Sequence, residues 1–192
     1  EDPNCTENNG DPICVGGGSG NLAMKLLNKG YSVDCVIPSD FLAEQAKTKL
    51  GNKGDIHICG FEQMEPTKTY DLIIFSESFQ YVKMGSTLHK VEDMLSANGH
   101  LLICDFFRRD LPEKSPIGGG HSWQGFQDAI STLSFQQVTD LDITAETAPT
   151  IDLLDQFCRN VLIPISEMSG EYLQYNYPYL TGLLNWKFNK RI

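Results

Sequence analysis

Ile13-Cys14-Val15-Gly16-Gly17-Gly18-Ser19-Gly20 governs how this chain is read. A short apolar run enters a glycine-rich turn, and Asn21 to Lys29 then reads as a helix. Leu22, Leu26 and Leu27 share one face of that helix, and Gly30 stops it. A strand, a glycine turn and a helix in that order let main-chain N–H groups approach a ligand closely, because few side chains stand in the way. A dinucleotide loop of the form G-x-G-x-x-G needs its third glycine where this chain has Asn21. A tight strand-to-helix turn explains the glycines without any ligand, so the loop needs support from the rest of the chain.

Outward from the loop, apolar runs and helical patterns alternate. Val33 to Ile37 reads as a second strand, Pro38-Ser39-Asp40 as a turn, and Ser39 or Asp40 as the cap of a helix ending near Leu50. Ile56 to Cys59 and Leu72 to Phe75 give the third and fourth strands, the latter led by Tyr70-Asp71. Leu88, Val91 and Leu95 mark a helix face closed by Asn98-Gly99, and Leu101 to Phe107 is a fifth strand. Beyond the Pro- and Gly-bearing segment Leu111 to Gly120, a helix carries Trp123, Phe126, Ala129, Ile130 and Leu133, and Phe135–Val138 and Leu141–Ile143 read as two later strands. Short apolar runs separated by helices predict an α/β protein with a doubly wound, mostly parallel, seven-stranded sheet covered on both faces. Residues 1–192 read as one domain, with a core over 12–145 and a partly helical extension over 146–192. That extension is rich in aromatics: Tyr172, Tyr175, Tyr177, Tyr179, Trp186 and Phe188.

Composition narrows the partners. With 15 Lys and Arg against 25 Asp and Glu, the net charge of −10 repels polyanions, so no nucleic-acid partner is expected. The basic residues Lys187, Lys190 and Arg191 read as a solvated helix end. No apolar run approaches the length of a membrane span. The six cysteines form no C-x-x-C pair, and no His/Cys/Asp cluster has metal-ligand spacing, so no metal is expected. Cys35, Cys59 and Cys104 lie in apolar runs, which reads as a reducing, cytoplasmic protein with buried free thiols.

Three further segments carry a resemblance. The spacing Gly16-x-Gly18-x-Gly20 resembles the first motif of class I S-adenosylmethionine-dependent methyltransferases. Tyr70-Asp-Leu-Ile-Ile-Phe-Ser-Glu-Ser-Phe-Gln-Tyr-Val82 resembles the family's fourth-strand segment, commonly F-D-L-V-x-x-S-E-V-L-E-H-V. Leu95-Ser-Ala-Asn-Gly-His-Leu-Leu-Ile-Cys-Asp105 resembles the following L-x-P-G-G-x-L-L-I-x-D, and Leu133-Ser-Phe135 with Asp142-Ile-Thr144 resembles the later G-F and D-x-T elements of small-molecule members. Order and spacing match over roughly 12–145, nearest to the ubiquinone/menaquinone-methyltransferase-like branch. The resemblance implies a Rossmann-like methyltransferase fold, S-adenosyl-L-methionine as cofactor and a small-molecule acceptor; the aromatic extension and the segment around Trp123 read either as the lining of an apolar or aromatic acceptor pocket or as an extra helix packed on the sheet. Nucleic-acid aminomethylases carry an N-P-P-Y-like segment where this chain has Ser76-Glu77-Ser78-Phe79. Family members also carry helices before the first strand, whereas about twelve residues precede it here, as in a trimmed chain.

The chain departs from the pattern at Cys14, Ile37 and Phe61, where the family usually has acids for the loop, the ribose and the adenine. Each missing acid forgoes about 1–3 kcal/mol of hydrogen bonding unless replaced. The resemblance places the cofactor on Gly16, Gly17, Gly18, Gly20, Ser76 and Glu77. Ile37 and Pro38 are expected against the adenosine, Asp40 or water at the ribose hydroxyls, Phe61 stacked on or walling off the adenine, and Glu62 as a shifted acid. Methyl transfer by displacement depends on alignment more than on acid–base catalysis. Should the acceptor have to lose a proton, Tyr81, Asp105 and His121 are the candidates near strand ends, each with an ordinary packing or capping role as the alternative. The departures leave a second reading open: a methyltransferase-like binding module or subunit without catalysis.

Overall fold

Side chains alternate across a strand, and here both faces of the central sheet are apolar. The computed structural model describes residues 10–109 and 120–176. Its first unit runs to Gln136 and its second starts at Gln137. The first unit contains β1 (Pro12–Val15), α1 (Asn21–Leu27), β2 (Asp34–Val36), α2 (Asp40–Leu50), β3 (Ile56–His57), β4 (Tyr70–Ser76), α3 (Met84–Met94) and β5 (Leu95–Cys104). After these come β6 (Phe107–Arg108), β7 (His121–Ser122) and α4 (Trp123–Ile130). Single 3-10 turns lie at Phe61–Gln63 and Phe79–Tyr81.

The main sheet is parallel throughout, in the order β3-β2-β1-β4-β5. From one face Ile13, Val15, Val36, Ile73 and Phe75 pack with Leu88, Val91 and Met94 of α3 and Phe126 of α4. From the other, Cys14, Cys35, Ile37 and Ile74 pack with Ala23 of α1 and Ala43, Ala46 and Leu50 of α2. Small residues on α1 and α2 let these helices lie close to the strands. The doubly wound class expected from the sequence is the one observed.

Two expectations are corrected. The sheet has five strands among the described residues rather than seven, because Phe135–Val138 and Leu141–Ile143 form none. Val138 and Leu141 are largely exposed, so these runs gain too little burial to offset the entropy of ordering. The helix expected to reach Asn98-Gly99 stops at Met94, and Leu95 already pairs with Tyr70 in a β5 that is irregular at its start. Most of the segment Leu111 to Gly120, and Tyr177, Tyr179, Trp186 and Phe188, lie outside the described residues. Among the described residues the second unit is helical from Thr144: α5 (Thr144–Phe157), one π-turn (Cys158–Leu162) and α6 (Ile163–Asn176).

At the amino ends of the strands, Asp34 is buried with every oxygen engaged. Its carboxylate accepts from Tyr70 Oη at 3.1 Å and Asp55 N at 2.9 Å, and lies 3.0 Å from Lys68 Nζ. Burial, then the Asp34 charge, pushes the Tyr70 phenol above its ordinary 10.0. For Lys68 burial pulls the other way, but the Asp34 and Asp11 carboxylates prevail and hold it above 10.5. Both groups keep their protons more firmly folded than unfolded, so this stabilisation is complete below about pH 10 and is lost as pH rises beyond it. Urea unfolding at about pH 8 and about pH 11 is therefore expected to show a steeper alkaline loss for the wild type than for Tyr70→Phe. Asp34→Ala should cost about 2 kcal/mol near neutrality, since it leaves the buried Tyr70 hydroxyl without its acceptor and frees Asp55 N, while Lys68 keeps Asp11.

Candidate ligand site

Strand order reverses between β1 and β4: from β1 the chain winds to β2 and β3 on one side, then crosses to β4 and β5 on the other. In sheets of this kind ligands lie beyond the carboxyl ends of the strands at that reversal. Here those ends are Val15 and Ser76, and the glycine loop springs from the first of them.

The loop's shape follows from its contacts. Gly16 N and Gly17 N both donate to Val36 O, at 2.9 and 3.3 Å, so the turn hangs from the end of β2. Gly16, Gly18 and Gly20 have φ of 68°, 54° and 81°, a region that disfavours other residues. A Cβ on Gly16 would collide with Ser78 Cβ, and Ser78 Oγ itself donates to Val15 O at 2.7 Å. Gly20 fits closely against Ala46 of α2. Lys49 Nζ ties the loop's exit to α2 by donating to Ser19 Oγ at 3.1 Å and Asn21 Oδ1 at 2.7 Å. Gly18 differs from all of these: nothing lies within 4 Å of the place its Cβ would take.

Beside the loop is a hollow of about 320 Å³. Cys14, Leu22 and Ile74 give it an apolar lining, the loop from Gly16 to Ser19 supplies main chain, and Asn21, Ser76 and Glu77 supply polar side chains. Glu77 is the sole ionisable acid in that lining. Its φ of 56° is positive, although it is not glycine, a conformation that costs about 1–2 kcal/mol. Glu77 N donating to Cys104 O at 2.9 Å helps hold it.

The structure thus brings together Gly16, Gly17, Gly18, Ser76 and Glu77, with Gly20 just behind them. It does not bring Ile37, Pro38, Asp40, Phe61 or Glu62 to this lining. Ile37 is 1% exposed and packs among α1 and α2. Pro38 and Asp40 are exposed, with Asp40 opening α2 behind the Ser39 cap. Phe61 is buried with its ring edge-on to Phe75. Glu62 accepts from Lys83 N at 3.0 Å, and that bond holds its carboxyl below the ordinary value.

The three acid–base candidates cluster around the turn after β4. Asp105 accepts from Gln80 N at 3.1 Å and from Phe106 N at 2.7 Å, so one carboxylate clamps the ends of β4 and β5. The His121 ring meets Phe79 O at 2.9 Å through Nε2 and packs edge-on against the Phe79 ring. Tyr81, on the same turn, is 80% exposed. Trp123 stacks on Phe126 and meets Phe107 edge-on, packed against the α3/α4 core. Sequence reasoning missed Ser78, Asn21 and Lys49 as shapers of the loop. The alternation of β4 offers a signal only for Ser78, a small residue placed where the strand end passes the loop.

The comparisons with known proteins agree with this geometry. A family profile described as "Methyltransferase domain" matches residues 13–101, from β1 into β5. An uncharacterized methyltransferase of Geobacillus sp. (strain WCH70) is 30% identical over 146 residues, covering 72% of this chain and 62% of its own length. From β1 into β5 the chain is thus similar to methyltransferase domains. A second methyltransferase, of Geobacillus thermodenitrificans, is 28% identical over 67% of this chain and 61% of its own. The chain thus spans somewhat over three fifths of these methyltransferases. Among solved structures, geranyl diphosphate C-methyltransferase from Streptomyces coelicolor A3(2), in complex with Mg2+, a geranyl thiolodiphosphate and S-adenosyl-L-homocysteine, superposes with a TM-score of 0.66. It is 17% identical, with 72% of this chain and 56% of that one covered, and shares the methyltransferase fold. Among the described residues no group of three or more His, Cys, Asp and Glu side chains could hold a metal ion, and no helix is long and apolar enough to cross a membrane.

In this loop Gly16 is fixed by packing and Gly18 is not. Gly16→Ala is expected to lower stability by about 2–3 kcal/mol, from a left-handed φ plus the overlap with Ser78. Chemical denaturation checks it. Adding Ser78→Gly should recover part of that loss.

Proposed function

We propose that this chain binds S-adenosyl-L-methionine in the hollow beside the glycine loop and transfers its methyl group to a small organic acceptor. The observation that carries the reading is Gly18, whose missing side chain leaves open space on a loop otherwise packed against protein. Elsewhere the loop's glycines answer to Ser78 and Ala46; Gly18 shares the left-handed φ, and the space beside it on the hollow's rim is open to a ligand. The lining also suits a cationic ligand, because Glu77 faces it with no basic residue among the lining groups.

The cofactor supplies an activated methyl on a sulfonium, so the chain's task is to hold and orient. On this reading Gly16, Gly17 and Gly18 present main chain, Ser76 and Glu77 hold the polar end, and Cys14 and Ile74 give an apolar floor. The ribose would reach beyond the hollow's lining, where water or Asp40, exposed at the start of α2, serves its hydroxyls in place of the missing acid at Ile37. Asp105 and His121 act as positioning residues: they fix the Phe79–Tyr81 turn and leave Tyr81 and Phe106 exposed beyond the ends of β4 and β5. Those two rings favour an apolar or aromatic acceptor.

Calorimetry with S-adenosyl-L-homocysteine tests the binding. Micromolar affinity is expected for the wild type, and Gly18→Val should lose it while costing only about 1–2 kcal/mol of stability. A folded wild type that takes up no ligand at millimolar concentration overturns the reading, as does a Gly18→Val protein that still binds normally. Release of S-adenosyl-L-homocysteine across a panel of phenols, quinols and isoprenoid acids then identifies the acceptor.

A further inference from the structure

Register places Cys14 of β1 directly beside Cys35 of β2. In-register neighbours on parallel strands point to the same face, and both side chains lie in the core under α1 and α2. Both are free thiols, 1% and 0% exposed. Adjacent strands stand about 4.8 Å apart, within the Cα separation that a disulfide accepts. The interaction of the two neighbouring thiols lowers the Cys35 pKa, against the opposing pull of burial and the Asp34 charge, and raises that of Cys14. Above the pair, a Cβ on Gly17 would stand 3.4 Å from Cys35 Sγ, and Cys14 lines the hollow itself. The two sulfurs therefore lie beneath the glycine loop: Cys14 borders the hollow, and Cys35 lies behind it under Gly17.

We propose that Cys14 and Cys35 form a redox-modification site, a dithiol that hydrogen peroxide entering through the hollow converts to a disulfide, and that a ligand seated in the hollow shields. The Cys35 thiolate attacks one peroxide oxygen, the O–O bond breaks, and the departing hydroxide takes up the proton that Cys35 released. The resulting Cys35 sulfenic acid is then attacked by the Cys14 sulfur. The S–S bond forms, and the hydroxyl leaves as water with the Cys14 proton. Two thiols lose two electrons in total, and peroxide is reduced to two waters. The identity of the shielding ligand rests on the proposed function above; the dithiol chemistry does not.

The test uses the reduced full chain, treated with hydrogen peroxide, blocked with iodoacetamide, digested and mapped by mass spectrometry. A Cys14–Cys35 cross-linked peptide is expected, reversed by dithiothreitol and absent from Cys14→Ser, where dimedone should instead trap sulfenic acid on Cys35. S-adenosyl-L-homocysteine at a hundred times its measured Kd should slow cross-linking about a hundredfold, the fraction of sites it leaves empty. Oxidation of Cys59 or Cys104 without the Cys14–Cys35 peptide overturns the proposal. Cross-linking at an unchanged rate while calorimetry shows the ligand bound overturns the route through the hollow. If calorimetry shows no binding, the reading of the hollow's ligand fails, and appearance or absence of the cross-link still decides the dithiol site.

Discussion

Two hydrogen bonds from Gly16 N and Gly17 N to Val36 O hang the glycine loop from the neighbouring strand, and most of what surrounds the hollow depends on them. They turn the chain sharply at the end of β1, so Gly16 must accept a left-handed backbone and lie against Ser78. Ser78 in turn bonds Val15 O, which joins the loop's root to the segment after β4. The loop is thus gripped from β2 on one side and from the end of β4 on the other. The hollow opens at the reversal of strand order because these two grips meet there.

The two ends of the sheet solve opposite problems. At the amino ends, Asp34 is buried with a cation and several donors arranged around it, an expensive placement that only full satisfaction makes tolerable. At the carboxyl ends, main-chain groups and a strained Glu77 are left facing open space. A fold that secures its charge at one edge can leave the other partly unsatisfied for a ligand.

Much of the frame was legible because it rests on local patterns. Four-residue apolar runs flagged the parallel strands, glycine spacing located the loop with Gly16 and Gly18, and the segment ending β4 supplied Ser76 and Glu77 beside the hollow. What was not legible depended on which way a side chain faces. Ile37 stood at the end of a strand, where a ribose contact is expected, yet alternation turns it into the α1/α2 core. Phe61 followed the third strand, yet it completes a ring contact with Phe75. Tyr81, Asp105 and His121 were read as separate candidates; the structure shows the latter two gripping the segment that carries the first. Lys49 gave no signal at all, because an exposed helical lysine looks the same whether or not it anchors a loop thirty residues away.

The Asp105 carboxylate, with one oxygen on Gln80 N and the other on Phe106 N, makes two loops from separate strands share one root. Residues at the tips, such as Tyr81 and Phe106, carry none of that bonding through their side chains. The outer rim can therefore be rewritten ring by ring, in a descendant or by an engineer, while its foundation stays where it is. Lengthening either loop between strand and clamp is another matter, because it would pull a main-chain N–H away and leave a carboxylate oxygen without its partner. Change at this rim should come by exchange of side chains rather than by insertion.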